Sequence, residues 1–342
     1  MKAVVDDKIP YIHEAIEALM DDVVYLPGKQ ITAIDVRDAD VLIVRTRTRC
    51  DRRLLEGSRV RFIATATIGY DHIDTAYLAE AGITWTNCPG CNANSVGQYV
   101  RNCLFLLEKE RGIDLASATL GIVGVGHVGK AVLKAVRPYV GRILLNDPPR
   151  QEAGDVEADM AFSTLADMAR ECDILTLHTP LIIGGNHPTY HLVDKALLQS
   201  LRRQPVIINA GRGEVVDNEA LEAALEAAQV SEAIIDTWEG EPALRLSLLE
   251  KVFVGTPHIA GYSADGKANA TRMSIEALCR WMGHEMTFTI LPPSLPYAIQ
   301  PTDDPVDLAL QYYNPLDDSA RLKASPSDFE RLRGDYPIRR ES

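Results

Sequence analysis

The sequence predicts an α/β protein of two doubly wound parallel-sheet domains, with a small element appended at the C-terminus. Three observations carry this. Short apolar runs rich in β-branched residues recur along the chain with helical patterns between them, which is the rhythm of strands buried on both faces of a parallel sheet. The length of 342 residues suits about two domains of roughly 150 residues each. A glycine-rich turn, Gly124-Val125-Gly126-His127-Val128-Gly129, falls within the start of a second series of such runs.

In the first series, Ala3-Val4-Val5, Val41 to Val44 and Arg61 to Ala64 read as strands, and Ile12 to Met20 and Asp51 to Leu55 as helices. The turn-forming cluster Asn87-Cys88-Pro89-Gly90 closes this unit. A helix from about Ser95 to Glu110 follows, with Val96, Val100, Cys103, Leu104 and Leu107 at core spacing. In the second series Gly121 to Val123, Ile143 to Leu145, Ile174 to Leu177, Val206 to Ile208 and Ala233 to Ile235 read as strands, and Asn218 to Ala228 as a helix. Beyond Leu291 the chain becomes rich in proline and aspartate, and a charged segment, Phe329 to Arg340, follows.

The composition is 46% hydrophobic and 24% charged, enough apolar material for sizeable cores. The net charge of −13 disfavours a nucleic-acid partner, which needs a basic footprint. An acidic protein that handles an anion must gather its cations locally. Asp6 and Asp7 interrupt the N-terminal apolar run, so it does not read as a signal peptide. No apolar run approaches the roughly 18 residues of a membrane span. The six cysteines are scattered over a core-forming chain, so reduced thiols in a cytoplasm are the simplest reading.

The glycine turn follows a strand and opens a helix. Gly124 permits the tight turn, Gly126 lets backbone approach a pyrophosphate, and Gly129 lets helix and strand pack closely. The first helical N–H groups, at His127 and Val128, face an anion with a partial positive charge. An acid, Asp147, stands at the end of the next strand, where its carboxylate can hold ribose hydroxyls. Its charge repels a 2′-phosphate, which favours NAD over NADP; Arg150 nearby keeps NADP open.

Three later segments sit at strand ends, where such sheets bind ligands. In Asn209-Ala210-Gly211-Arg212-Gly213 a guanidinium flanked by glycines suits a carboxylate. Asp236-Thr237-Trp238-Glu239-Gly240-Glu241-Pro242 gathers three acids around a turn. Thr256-Pro257-His258-Ile259-Ala260-Gly261 carries an imidazole, the usual base for alcohol oxidation. Taken singly, each also reads as an ordinary surface loop.

Together these segments, over about residues 40 to 285, resemble the D-isomer-specific 2-hydroxyacid dehydrogenases. Within that family, Thr65-Ala66-Thr67-Ile68-Gly69-Tyr70-Asp71-His72, Pro89-Gly90-Cys91-Asn92-Ala93, Asp147-Pro148-Pro149-Arg150 and Pro257 to Tyr262 look like the branch that serves vitamin B6 synthesis. The resemblance implies a Rossmann cofactor domain over 93–257, a flavodoxin-like substrate domain over 1–92 and 258–288, a cleft between them, and a C-terminal dimerisation element over 289–342. It implies NAD as cofactor, no metal, a small phosphorylated 2-hydroxy acid as substrate, and a cytoplasmic homodimer. Arg212, Glu241 and His258 would be catalytic: Arg212 holding the substrate carboxylate, His258 exchanging the C2 hydroxyl proton, Glu241 tuning His258. Gly124, Gly126, His127, Val128, Gly129, Asp147, Thr179, Ala210, Gly211, Arg212, Asp236 and Gly261 would line the cofactor, with Asp236 at the nicotinamide end. Thr46, Thr67, Arg212 and Tyr262 would meet the substrate.

Arg45-Thr46-Arg47-Thr48-Arg49 is richer in cations than the resemblance requires. If extended, its arginines share one face, and one is expected to bind the substrate phosphate. Competing readings are a thiol–disulfide site at Cys88-Pro89-Gly90-Cys91, an enzyme for 3-phosphoglycerate or glyoxylate, and a non-catalytic NAD(H)-binding scaffold.

Overall fold

The computed structural model describes residues 1–155, 161–287 and 289–342. They form two compact units, Met1–Asn92 with Ser263–Ser294, and Ala93–Tyr262 with Leu295–Ser342.

The first unit contains five parallel strands: β1 (Lys2–Asp6), β2 (Asp22–Leu26), β3 (Val41–Val44), β4 (Phe62–Thr65) and β5 (Thr84–Thr86). Their order, β2-β1-β3-β4-β5, is the flavodoxin-like one. Because side chains alternate along a strand, Ala3, Val5, Val41, Ile43, Phe62 and Ala64 pack on one face with Ile275 and Leu278 of the returning helix Ala264–Met282. Val4, Leu42, Val44 and Ile63 pack on the other with Leu54, Leu55 and Leu78. The edge strands β2 and β5 escaped the sequence reading because much of each is only half-buried, and the apolar signal fades accordingly.

The segment after β3 corrects an expectation. Arg45 to Arg49 is not extended: the chain turns, with Thr48 N–H donating to Arg45 O at 3.2 Å. Arg45 turns to the fully buried Asp6 at 3.3 Å, and Arg49 pairs with Asp51 at 3.1 Å. Arg47 is exposed and, among the described residues, has no ion pair. The Cys88 to Cys91 segment is equally unlike a redox site. Both thiols are free and buried, Cys88 Sγ donates to Ala270 O at 3.2 Å, and burial pushes its pKa up.

The second unit is built on six parallel strands: β6 (Thr119–Val123), β7 (Arg142–Asn146), β8 (Ile174–Leu177), β9 (Val206–Asn209), β10 (Glu232–Ile235) and β11 (Val254–Gly255). The order is β11-β10-β9-β8-β6-β7. A one-residue bridge from Leu145 to Phe162 extends the edge beyond β7 and completes the strand sequence of a dinucleotide-binding sheet. Ile174–Leu177 is the strand the sequence predicts, and the helix expected from Asn218 runs to Glu226 behind an Asp217 side chain that accepts from Ala220 N–H.

Two boundaries differ from expectation. The chain leaves this unit after Tyr262, not at His258. The C-terminal stretch groups with this unit instead of standing apart. Its helices Pro305–Tyr312, Pro315–Ala324 and Phe329–Gly334 insert Leu322 and Phe329 into a core shared with Trp238 and Leu248. Ser319 Oγ also accepts the Gly255 N–H of β11 at 3.0 Å, so the tail helps satisfy the sheet.

His178, just past β8, gives this unit a pH dependence. Its Nε2 meets Thr176 Oγ1 at 2.9 Å, and burial lowers its pKa from 6.5 to about 3. The unfolded chain therefore takes up a proton near pH 6.5 that the fold refuses. The contribution of His178 to stability is whole above that pH and is lost as pH falls toward 3. It amounts to about 2 kcal/mol by pH 5. Thermal unfolding of His178→Asn is expected to depend less on pH between 7 and 5 than that of the unaltered protein; identical slopes would count against a neutral buried imidazole.

Candidate active site

The parallel register places the functional loops side by side. Asn209 pairs with Leu177 of β8 and Ile235 of β10, and Ile235 pairs with Gly255 of β11. The loops carrying Arg212, Glu241 and His258 thus leave the carboxyl ends of three adjacent strands.

The loop after β9 is drawn tight. Asn209 Nδ2 donates to Arg212 O at 3.1 Å and to Thr237 O at 3.3 Å, and Gly211 N–H donates to Asn209 Oδ1 at 3.2 Å. A Cβ on Gly213 would lie 2.0 Å from Trp238 O, so only glycine lets this loop reach its neighbour. Arg212, an exposed residue, projects from between the glycines, and its Nη1 donates to Gly211 O at 2.8 Å.

Glu241 Oε1 lies 2.5 Å from His258 Nδ1, and its Oε2 accepts Trp238 N–H at 3.1 Å. Burial alone would raise the Glu241 pKa. The His258 hydrogen bond and charge, the Trp238 N–H and the charge of Arg333 outweigh it and hold the carboxyl below its usual range. An ionised Glu241 fixes the proton on Nδ1 and leaves Nε2 as the basic nitrogen. Glu239, the other exposed-side acid of this loop, pairs with His191 at 2.6 Å. His191, Asp217 and Glu239 bring ligand atoms within 4.8 Å of one another, but these groups already bond one another and Asn218 N–H.

His258 has φ +56, a left-handed conformation that non-glycine residues seldom adopt. Asp236 holds it there. His258 N–H donates to Asp236 O at 2.8 Å. Asp236 Oδ1 accepts Thr256 Oγ1 and Ile259 N–H, both at 2.7 Å, and Oδ2 accepts Ala260 N–H at 2.9 Å. Burial raises the Asp236 pKa against these bonds. The sequence pointed to Asp236 as a cofactor ligand; the geometry makes it first the clamp of the His258 loop, and at 1% exposed it offers a ligand only an edge. Gly261 follows in the turn, where Tyr262 N–H donates to Ile259 O at 2.8 Å.

On the same side of the sheet, the glycine turn follows β6. A Cβ on Gly124 would lie 2.8 Å from the His178 backbone, and one on Gly129 would lie 2.0 Å from Gly124 O, whereas Gly126 faces open space. Helix His127–Val136 begins there with no side-chain cap. Asp147 Oδ2 accepts Val125 N–H at 2.8 Å. Arg150 is occupied: Nη1 donates to Val125 O at 2.7 Å and Nε to Asp155 at 2.8 Å, which weakens the case for a 2′-phosphate. Thr179 Oγ1 is buried without a partner, an open position for a ligand donor or acceptor. The cradle, the uncapped helix start and this orphan hydroxyl fit a dinucleotide.

Thr46 and Thr67 belong to the other unit. Thr46 lies exposed in the turn after β3. Thr67 Oγ1, after β4, donates to Gly69 O at 2.9 Å and meets Thr65 Oγ1 at 2.7 Å, which in turn meets His72 Nε2 at 2.9 Å. Tyr262 Oη accepts from Arg333 Nε at 3.1 Å. Arg333 was visible in the sequence as part of the charged closing segment, but nothing local marked it as a neighbour of the site. Thr256 was likewise passed over, because its role lies in its bond to the distant Asp236.

This arrangement suits a dehydrogenase of 2-hydroxy acids, and the comparisons with known proteins give that class. Residues 92–260 match the family described as "D-isomer specific 2-hydroxyacid dehydrogenase, NAD binding domain". The solved structure of D-2-hydroxyisocaproate dehydrogenase superposes with a TM-score of 0.69 at 20% identity, over 82% of this chain and 97% of that one. The chain is 55% identical to erythronate-4-phosphate dehydrogenase of Bacteroides fragilis, over 100% of its own length and 97% of that relative. It is 52% identical to the Bacteroides thetaiotaomicron protein of the same name, with the same coverage. The chain belongs to the erythronate-4-phosphate dehydrogenase family.

Thr179→Val is expected to leave the melting temperature unchanged or raise it, since no bond is lost in the fold, while weakening NAD binding severalfold by fluorescence titration. A lower melting temperature with unaltered affinity would contradict the assignment. Gly213→Ala should lower both stability and turnover, by about 1–3 kcal/mol in unfolding free energy, because its Cβ has no room beside Trp238.

Proposed function

We propose that this protein is an NAD-dependent enzyme that oxidises 4-phospho-D-erythronate at C2 to 2-oxo-3-hydroxy-4-phosphobutanoate, a step of vitamin B6 synthesis. The observation that carries the reading is the Glu241–His258 pair at 2.5 Å, formed between the loops after β10 and β11, next to the loop after β9 that bears Arg212. Whole-length identity to the named relatives supports the substrate.

In this reading Arg212 grips the substrate carboxylate and polarises the C2 oxygen. His258 Nε2 accepts the C2 hydroxyl proton, and Glu241 stabilises the imidazolium that results. Bound NAD supplies the acceptor for the hydrogen and electron pair that leave C2. The glycine turn and the start of helix His127–Val136 hold the pyrophosphate, Asp147 the ribose, and Thr179, Ala210, Gly211 and Gly261 line the remainder. Thr46, Thr67 and Tyr262 contact the substrate, and the exposed Arg47 is the cation of its segment left for the phosphate. The proposal includes a cytoplasmic homodimer. Among the described residues no helix is long and apolar enough to cross a membrane.

Turnover of 4-phosphoerythronate with NAD, followed by absorbance of the reduced cofactor, separates an enzyme from a scaffold; 3-phosphoglycerate and glycolate serve as competing substrates. His258→Ala should lower kcat about a hundredfold or more and leave NAD affinity intact. Asp147→Ala should do the reverse. Near-normal kcat in His258→Ala across pH would remove the base from the scheme.

A further inference from the structure

The segment from Phe329 onward does more in the fold than the dimerisation expected of it. Its Arg339 is 3% exposed, and its guanidinium makes four hydrogen bonds. Nε donates to Gln98 Oε1 at 3.1 Å, Nη1 to Ile259 O at 3.2 Å, and Nη2 to Ser95 O and Ala260 O, both at 2.7 Å. The plane lies 4.0 Å from the centre of the Tyr313 ring. Among the described residues no carboxylate lies within ion-pair distance of it. A buried cation without an ion partner is costly, and here three of its four bonds go to backbone carbonyls.

Two of those carbonyls belong to the residues directly after His258. The N–H groups of His258, Ile259 and Ala260 all go to Asp236. The carbonyls of Ile259 and Ala260 go to Arg339. The loop bearing the imidazole is therefore bracketed by the buried Asp236 on its donor side and a buried guanidinium on its acceptor side. Gln98 and Ser95 tie the same guanidinium to helix Ala93–Arg111, so the bracket rests on a rigid element.

We propose that Arg339 is a positioning residue for the reaction, holding the Ile259 and Ala260 carbonyls so that His258 keeps its left-handed backbone and its hydrogen bond to Glu241. Arginine suits the task because its planar fork presents five donors in fixed directions; a lysine ammonium reaches fewer of these oxygens at once. The inference rests on His258 being the base, and it makes the C-terminal segment part of the catalytic apparatus.

The test compares Arg339→Lys, Arg339→Met, His258→Ala and Leu322→Ala in the full chain. Leu322 is fully buried in a tail helix and lies on neither the histidine loop nor the glutamate loop, so its variant is the control for destabilisation. Below their melting temperatures, Arg339→Met should lose about tenfold or more in kcat with NAD affinity unchanged. The limb of its pH–rate profile set by His258 should shift, since the Glu241 contact is loosened. Arg339→Lys should recover part of both, and Leu322→Ala should lower the melting temperature with an unaltered profile. If Arg339→Met does not fold, Arg339→Lys decides: wild-type kcat and profile in the folded lysine variant overturn the proposal. Inactive His258→Ala beside normal Arg339 variants would sink the positioning role alone; active His258→Ala would sink the base assignment itself.

Discussion

A single buried carboxylate organises the loop that bears His258. Asp236 accepts the Thr256 hydroxyl and the Ile259 and Ala260 amides on its side chain, and the His258 amide on its carbonyl. Burying an isolated carboxylate costs several kcal/mol, and each hydrogen bond to a charged group returns about 1.5–3 kcal/mol. Three such bonds suffice to keep the group inside, although burial still raises its pKa. What they secure is a histidine at φ +56, a conformation that costs about 1–3 kcal/mol and persists only where its surroundings over-determine it. The imidazole is thus aimed by its backbone as well as by Glu241.

Asp236 and Glu241, both on the loop after β10, are set apart by their surroundings. Asp236 has its pKa raised, with burial the dominant cause, and acts through hydrogen bonds to the backbone. Glu241 has its pKa lowered, because His258, the Trp238 amide and Arg333 outweigh its burial. Environment thus divides one acidic turn into a clamp and a partner for His258. The glycines around Arg212 belong to the same economy of space. Gly213 lies against the Trp238 backbone, so the arginine loop and the glutamate loop touch through main chain, and neither can drift without the other.

The parallel sheet explains why so many separate stretches meet. β6, β8, β9, β10 and β11 are neighbours in that order and all point the same way, so their following loops share one edge. The glycine turn, Thr179, Arg212, Glu241 and His258 each occupy one of those loops. The C-terminal segment completes the unit by supplying Ser319 to β11 and Arg339 to the histidine loop.

By itself the sequence determined the strands of the sheet interiors, such as Val41–Val44 and Ile174–Leu177, and the glycine turn, and it singled out the arginine, glutamate and histidine as candidates. These are carried by local signals: apolar runs, glycine spacing and short motifs around single strand ends. Only the tertiary structure decided what the neighbours of those residues do. It turned Arg45 toward Asp6 and away from an extended cationic face, buried Cys88 and Cys91, joined the tail to the cofactor unit, and gave Asp236 and Arg339 opposite sides of one loop. Such roles depend on hydrogen bonds between residues as far apart as Ala260 and Arg339, and the spacing of residues along a chain carries no record of which distant backbone groups a buried charge will meet.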